Sequence, residues 1–144
     1  MNKLKSIFIL SLIGTLFALT VTIKQYIAPA TEPGLFSCVG LTILGLSPCP
    51  FGLALFALLL LSSLMAWRGL TNWFSNTLTI KILAWAGTLF AGWVGWREIG
   101  LPMLIRGFND YWATFSLAAV PACVWGFFVF LAAAVISLYL QNKK

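Results

Sequence analysis

Four apolar stretches, Ser6–Ile23, Phe51–Trp67, Leu78–Trp96 and Thr114–Leu140, contain a single charged residue between them, Lys81. Once their ends are allowed to snorkel, each can cross the hydrocarbon core of a bilayer, about 30 Å thick, as a helix. Composition agrees, because 61% of the 144 residues are hydrophobic and 8% are charged, whereas soluble domains carry roughly 25% charge. The expected fold is an all-α membrane protein, a four-helix transmembrane bundle forming one domain over 1–144, with no room for a soluble catalytic domain. Ser6–Ile23 follows Lys3 and Lys5 and so imitates a signal peptide. Its apolar stretch exceeds the usual ~7–15 residues, and it is read as a span.

The charges orient the spans. Lys3, Lys5, Arg68, Lys81, Lys143 and Lys144 fall on one side, and Lys24, Arg97 and Arg106 fall on the other with all three acids, Glu32, Glu98 and Asp110. By the positive-inside rule both termini are cytoplasmic, as expected in a bacterial inner membrane. The net charge of +6 sits on the inner face, where it meets anionic lipid and implies no nucleic-acid partner. Gly34–Leu46 is apolar but too short and glycine-rich to cross, and is expected as a half-helix at the outer surface. Leu101–Ile105 should do the same on a smaller scale. In that second outer loop, Arg97, Glu98, Arg106 and Asp110 are framed by Trp93, Trp96, Tyr111 and Trp112, read as an interfacial belt around solvated ion pairs. The lack of ionisable groups deep within the spans weighs against a proton-coupled transporter or ion pump. No histidine is present, which excludes histidine triads and haem-histidine sites, and no metal site is expected.

The chain carries signs of an internal duplication. Gly14-Thr-Leu-Phe-Ala18 recurs as Gly87-Thr-Leu-Phe-Ala91, and in the same register Val21 meets Val94, Lys24 meets Arg97 and Pro29 meets Pro102. One residue later in register, Cys49-Pro-Phe-Gly52 meets Cys123-Val-Trp-Gly126, and Phe56, Ser63 and Leu64 meet Phe130, Ser137 and Leu138. Two parallel helix-hairpin repeats, about 6–67 and 78–140, would be related by an axis along the membrane normal, with equivalent residues at equal depth.

That topology places Cys38, Cys49 and Cys123 at or near the outer surface, the disulfide-permissive side. Cys49 is bracketed by Pro48 and Pro50, and proline is tolerated in a helix's first turn, so Cys49 should open its helix. A thiol there faces the positive end of the helix dipole, a setting that favours the reactive thiolate. Cys123, two residues after Pro121, is expected in a similar setting. The same Cys-x-x-Gly pattern also suits small residues that let neighbouring helices approach, so packing and redox roles both stand at this level.

Gly45-Leu-Ser-Pro-Cys-Pro-Phe-Gly52, entering a span from the outer side, resembles the Gly-Leu-x-Pro-Cys-x-x-Cys segment of the DsbB-type disulfide-bond formation proteins. The layout is similar also to their vitamin K epoxide reductase relatives, which have an outer half-helix between the first two spans and a Cys-x-x-Cys at the outer end of a late span, where this chain has Cys123-Val-Trp-Gly126. The resemblance covers about a third of the chain. It implies a membrane thiol–disulfide oxidoreductase that oxidises a periplasmic or extracellular partner's dithiol and passes two electrons to a membrane quinone. Two departures stand out: the second cysteine of each motif is glycine, Gly52 and Gly126, and Leu53–Leu61 lacks the basic residue expected after the first motif. A Cys-x-x-Cys relay cannot operate, so Cys49 would have to pair with Cys123 or Cys38. Gln25 and Tyr26, at the outer end of the first helix, are the candidates for hydrogen-bonding a quinone head group. The competing readings are a non-catalytic accessory subunit of a larger membrane complex and a small carrier for an apolar solute.

Overall fold

A computed structural model of the chain describes residues 2–27, 48–70, 73–107 and 122–142. They form α1 (Asn2–Ile27), α2 (Pro48–Arg68), α3 (Trp73–Gly95), a short α4 (Leu101–Arg106) and α5 (Ala122–Leu138), with no strand among the described residues. Leu4–Lys24, Pro48–Arg68 and Thr77–Ile105 are long and apolar enough to cross a membrane. The 17 residues of α5 make a shorter apolar helix. Thr114–Pro121, which the sequence reading adds to it, and the half-helix expected at Gly34–Leu46 lie outside the described residues.

The helices pack as antiparallel neighbours. Phe8 near the start of α1 meets Trp67 near the end of α2, with ring centroids 5.5 Å apart, and Gly14 lies against Phe56. Likewise Gly87, Gly92 and Gly95 of α3 run against Phe130, Phe127 and Val124 of α5 in reverse order. In the middle of the bundle the buried rings of Phe56 and Phe130 stack, with centroids 3.9 Å apart and planes 13° from parallel. The rings fit because glycine faces them: a Cβ on Gly14 would stand 2.4 Å from Phe56, and one on Gly87 would stand 2.3 Å from Phe130.

Burial follows one stripe per helix, as helical periodicity requires. Ile7, Ser11, Gly14 and Val21 are buried on α1, and Ile80, Ala84, Gly87 and Val94 on α3. Phe56, Leu59 and Ser63 are buried on α2, and Phe130, Ala133 and Ser137 on α5. The hydroxyls in these stripes are satisfied within their own helices. Ser63 donates to the Leu60 carbonyl at 2.8 Å and Ser137 to that of Ala134 at 2.6 Å, while Thr15 and Thr88 donate to Ser11 and Ala84. No second helix is needed to hydrogen-bond them in lipid. Large apolar side chains such as Leu16, Leu89 and Phe128 point outward, as lipid contact requires.

The cysteine-free end of the α2–α3 pair turns tightly. Gly69 adopts φ +66, and the amides of Gly69 and Leu70 bond the carbonyls of Ala66 at 3.4 Å and Met65 at 3.2 Å. This is the Schellman arrangement that satisfies the last carbonyls of a helix.

One boundary differs from expectation. The third span was expected to stop at Trp96, with a separate short helix after Gly100. Instead the helix continues through a π-helical turn at Trp96–Gly100, in which the Leu101 amide bonds the Trp96 carbonyl, and then runs on as α4. Gly100 and Pro102 look like breakers in sequence. Yet Pro102 lies in the first turn of α4, where a missing amide is tolerated.

Candidate functional site

Cys49 is the second described residue of α2 and Cys123 the second of α5; the residues before Pro48 and before Ala122 lie outside the described ones. The prolines flanking Cys49 occupy the first described turn. The two helices run parallel through the Phe56–Phe130 stack, which brings both cysteines to one end of the bundle. There they line a single cavity of about 40 Å³ together with Phe17 and Val21 of α1, Phe90 of α3 and Gly126 of α5. Four helices thus converge on two sulfurs.

The sulfurs are in different states. Cys49 is 8% exposed and engaged in a disulfide, whereas Cys123 is half-buried and carries a free thiol. The structure therefore contains no bridge between these two residues. Cys38, the other pairing left open by the sequence, lies outside the described residues. Because Cys49 is bonded, its helix-start position does not hold a resting thiolate. Cys123 sits in an apolar cavity with the Glu98 carboxylate as an electrostatic neighbour, unlike the electropositive surroundings of reactive cysteines.

Glycine in place of the second motif cysteine is not forced by crowding at Gly52, where nothing lies within 4 Å of an added Cβ. At Gly126 the nearest atom to an added Cβ would be on Phe56, at 3.8 Å. Both positions could therefore accept a small side chain.

Tyr26 is 65% exposed near the end of α1 and is not part of the cysteine cavity. Gln25 follows Val21 by about one helical turn. Alongside the cavity, a groove of about 500 Å³ opens between α1 and α5, with Leu10, Gly14 and Phe17 on one wall and Trp125, Gly126 and Val129 on the other. It shares Phe17, Phe56 and Gly126 with the cavity, so an apolar molecule in the groove would lie beside the sulfurs.

Glu98 differs most from the sequence reading. Expected as a solvated loop carboxylate, it lies in the π-helical turn with both carboxylate oxygens withdrawn from solvent and, among the described residues, without a hydrogen-bond partner. Its neighbour Arg97 lies over the Trp93 ring, 5.8 Å from the centroid. The sequence did hold a signal. Gly92 and Gly95 pack against Phe127 and Val124 of α5, and Glu98 follows Gly95 by three residues.

Comparison with family models, with curated proteins and with solved structures finds nothing that matches this chain.

Proposed function

We propose that this is a membrane thiol–disulfide oxidoreductase whose reactive bond is the disulfide of Cys49, with Cys38 as the second sulfur. The observation that carries the reading is the shared cavity: a disulfide and a free thiol line one pocket. Cys38 is proposed by elimination, since the sequence has three cysteines and Cys123 is free. A thiolate of the partner attacks the disulfide and forms a mixed disulfide, and one cysteine of this chain leaves as thiolate. The partner's second thiol then attacks the partner's own sulfur in the mixed disulfide, closing the partner's disulfide and releasing the remaining cysteine of this chain. The partner loses two electrons and two protons, and this chain gains them as two thiols. A membrane quinone, when bound, supplies the sink for that pair of electrons and protons. The apolar groove between α1 and α5 would admit it beside the cavity.

Two further proposals frame the site. The hairpins are tandem copies, which is supported by the matching burial of Ile7, Ser11, Gly14 and Val21 with Ile80, Ala84, Gly87 and Val94, and by a glycine facing a phenylalanine in each hairpin. The cysteine end faces outward from a bacterial inner membrane, which is supported by Lys5, Arg68 and Lys81 lying toward the opposite end.

The test uses the full chain in detergent with a reduced Cys-x-x-Cys peptide and a short-chain ubiquinone, following peptide thiols by alkylation and mass. Wild type should oxidise the peptide and reduce the quinone in equal amounts, and Cys49→Ser should do neither. Oxidation no faster than with Cys49→Ser would remove the catalytic reading and leave an accessory subunit with a structural disulfide.

A further inference from the structure

The α1 face that carries Ile13, Leu16, Phe17, Thr20, Val21 and Lys24 lines a groove of about 410 Å³. Its wall is apolar up to Lys24, because the Thr20 hydroxyl is spent on the Leu16 carbonyl at 2.8 Å. Lys24 is exposed, and among the described residues it forms no ion pair. The second hairpin treats its basic residue differently. In the register that matches Gly14 with Gly87, Lys24 matches Arg97 and Thr20 matches Trp93. Arg97 is held over the Trp93 ring, 5.8 Å from its centroid. On α1 a threonine stands where that indole would, so the space beneath the cation is open instead of filled. From Lys24 to Ile13 the groove follows the helix for about 16 Å at 1.5 Å per residue, and Ile13 lies next to the middle of the span Leu4–Lys24. One leaflet's hydrocarbon is half of a core about 30 Å thick, about 15 Å deep. The groove thus begins at a cation and ends one leaflet down.

We propose that this groove binds one anionic phospholipid, with the headgroup phosphate on the Lys24 ammonium and one acyl chain laid along Thr20, Leu16 and Ile13. Charge selects the anionic class. Lys24 brings one positive charge, and no acid accompanies it among the described lining residues. A singly charged phosphodiester therefore leaves a neutral pair, whereas a zwitterionic lipid sets its own ammonium beside the lysine. The apolar stem of Lys24 lies along the groove while its ammonium reaches headgroup depth, as long basic side chains do at helix ends. Ile13 and Phe17 also line the groove between α1 and α5, so a chain that ends at Ile13 stops where that groove begins and leaves it open. The site does not depend on the exchange reading above, because neither sulfur takes part in it.

The test titrates the delipidated full chain, in a non-ionic detergent, with phosphatidylglycerol or with phosphatidylcholine carrying the same acyl chains, and counts bound lipid by native mass spectrometry. Wild type should bind its first phosphatidylglycerol about fivefold more tightly than phosphatidylcholine, the gain expected from one lysine at an anionic headgroup. Lys24→Gln should erase that preference, and Arg97→Gln, which removes a cation already held on a ring, should keep it. Thr20→Trp gives α1 the side chain that α3 has, and should weaken the first binding of both lipids by filling the groove. Position 20 is exposed, so the helical circular dichroism of this variant should match wild type. Glycerophosphoglycerol, the headgroup without chains, should not displace the bound lipid at equal concentration. A wild type without the preference would overturn the proposal, as would Lys24→Gln retaining it or Arg97→Gln losing it equally. Thr20→Trp binding both lipids like wild type, or displacement by the headgroup alone, would remove the acyl chain from the groove and overturn it as well.

Discussion

Gly14→Ala should damage the bundle in a way that can be computed from the stacked rings. The new methyl would stand 2.4, 2.6 and 2.9 Å from three atoms of Phe56. To regain ordinary carbon contact near 3.5 Å, the ring has to retreat by about 1 Å. It is 3% exposed and backed by Phe130 with centroids 3.9 Å apart, so it has little room to retreat. Overpacking of this kind costs about 1–3 kcal/mol, while alanine in place of glycine returns roughly 1 kcal/mol of helix propensity. Gly52→Ala is the internal control, because its methyl meets nothing within 4 Å and brings only the propensity gain. The difference between the two variants isolates the clash and should be about 1–3 kcal/mol. Gly87→Ala should behave like Gly14→Ala, since its methyl would stand 2.3 Å from Phe130. The double variant should be worse than additive by about 0.5–3 kcal/mol, because each ring blocks the other's retreat. Phe56→Leu should rescue Gly14→Ala. The assay is loss of helical circular dichroism as dodecyl sulfate is titrated into the detergent-solubilised protein. If Gly14→Ala and Gly52→Ala unfold together, at or above the wild-type midpoint, the close approach of Gly14 to Phe56 does not govern stability.

Four other outcomes follow from the site. Cys49→Ser should cost about 2–4 kcal/mol in the same titration through loss of its disulfide, and Cys123→Ser should leave that bond intact by alkylation mass. Glu98→Leu should stabilise the fold by about 1–3 kcal/mol, because it removes a buried carboxylate that has no partner; a destabilised variant would mean that the carboxylate is paired in the membrane. After reduction of intact cells, a membrane-impermeant maleimide should label at least one cysteine, and labelling confined to lysed cells would reverse the proposed orientation.

The helices were legible because lipid enforces long apolar runs, and Ser6–Ile23, Phe51–Trp67 and Leu78–Trp96 fall within helices that the structure contains. The glycine–phenylalanine contacts were half legible. Gly14 and Gly87 appeared as equivalent residues, and Phe56 and Phe130 appeared as another pair, but the pattern alone could not say that one pair receives the other. Pro48 and Pro50 fall in the first described turn of α2, in keeping with where proline is cheap. The π-helical turn was not legible, because an extra residue in a turn leaves no compositional trace and Gly100 with Pro102 suggested a break. Glu98 was misread for a related reason. Its arginine and tryptophan neighbours are those of a solvated loop, and only the continuation of the helix past Trp96 places it in a π-helical turn with its oxygens withdrawn from solvent. The states of the sulfurs could not be read from spacing, which left Cys49 two possible partners.

The stack of Phe56 on Phe130 has a consequence for how the two hairpins are joined. On the duplicated reading, a side chain here meets its own counterpart, which is the mark of an isologous contact lying on a two-fold axis. Within the first hairpin Phe56 already fills the notch at Gly14, so the other face of its ring is what meets the counterpart ring. Covalent linkage turns that encounter from an intermolecular one into an intramolecular one, with an effective concentration in the millimolar range for a short connection. The linked halves are then released from identity but not from each other. The outer surfaces can drift with the lipid, whereas a change in either ring has to be answered by its mate.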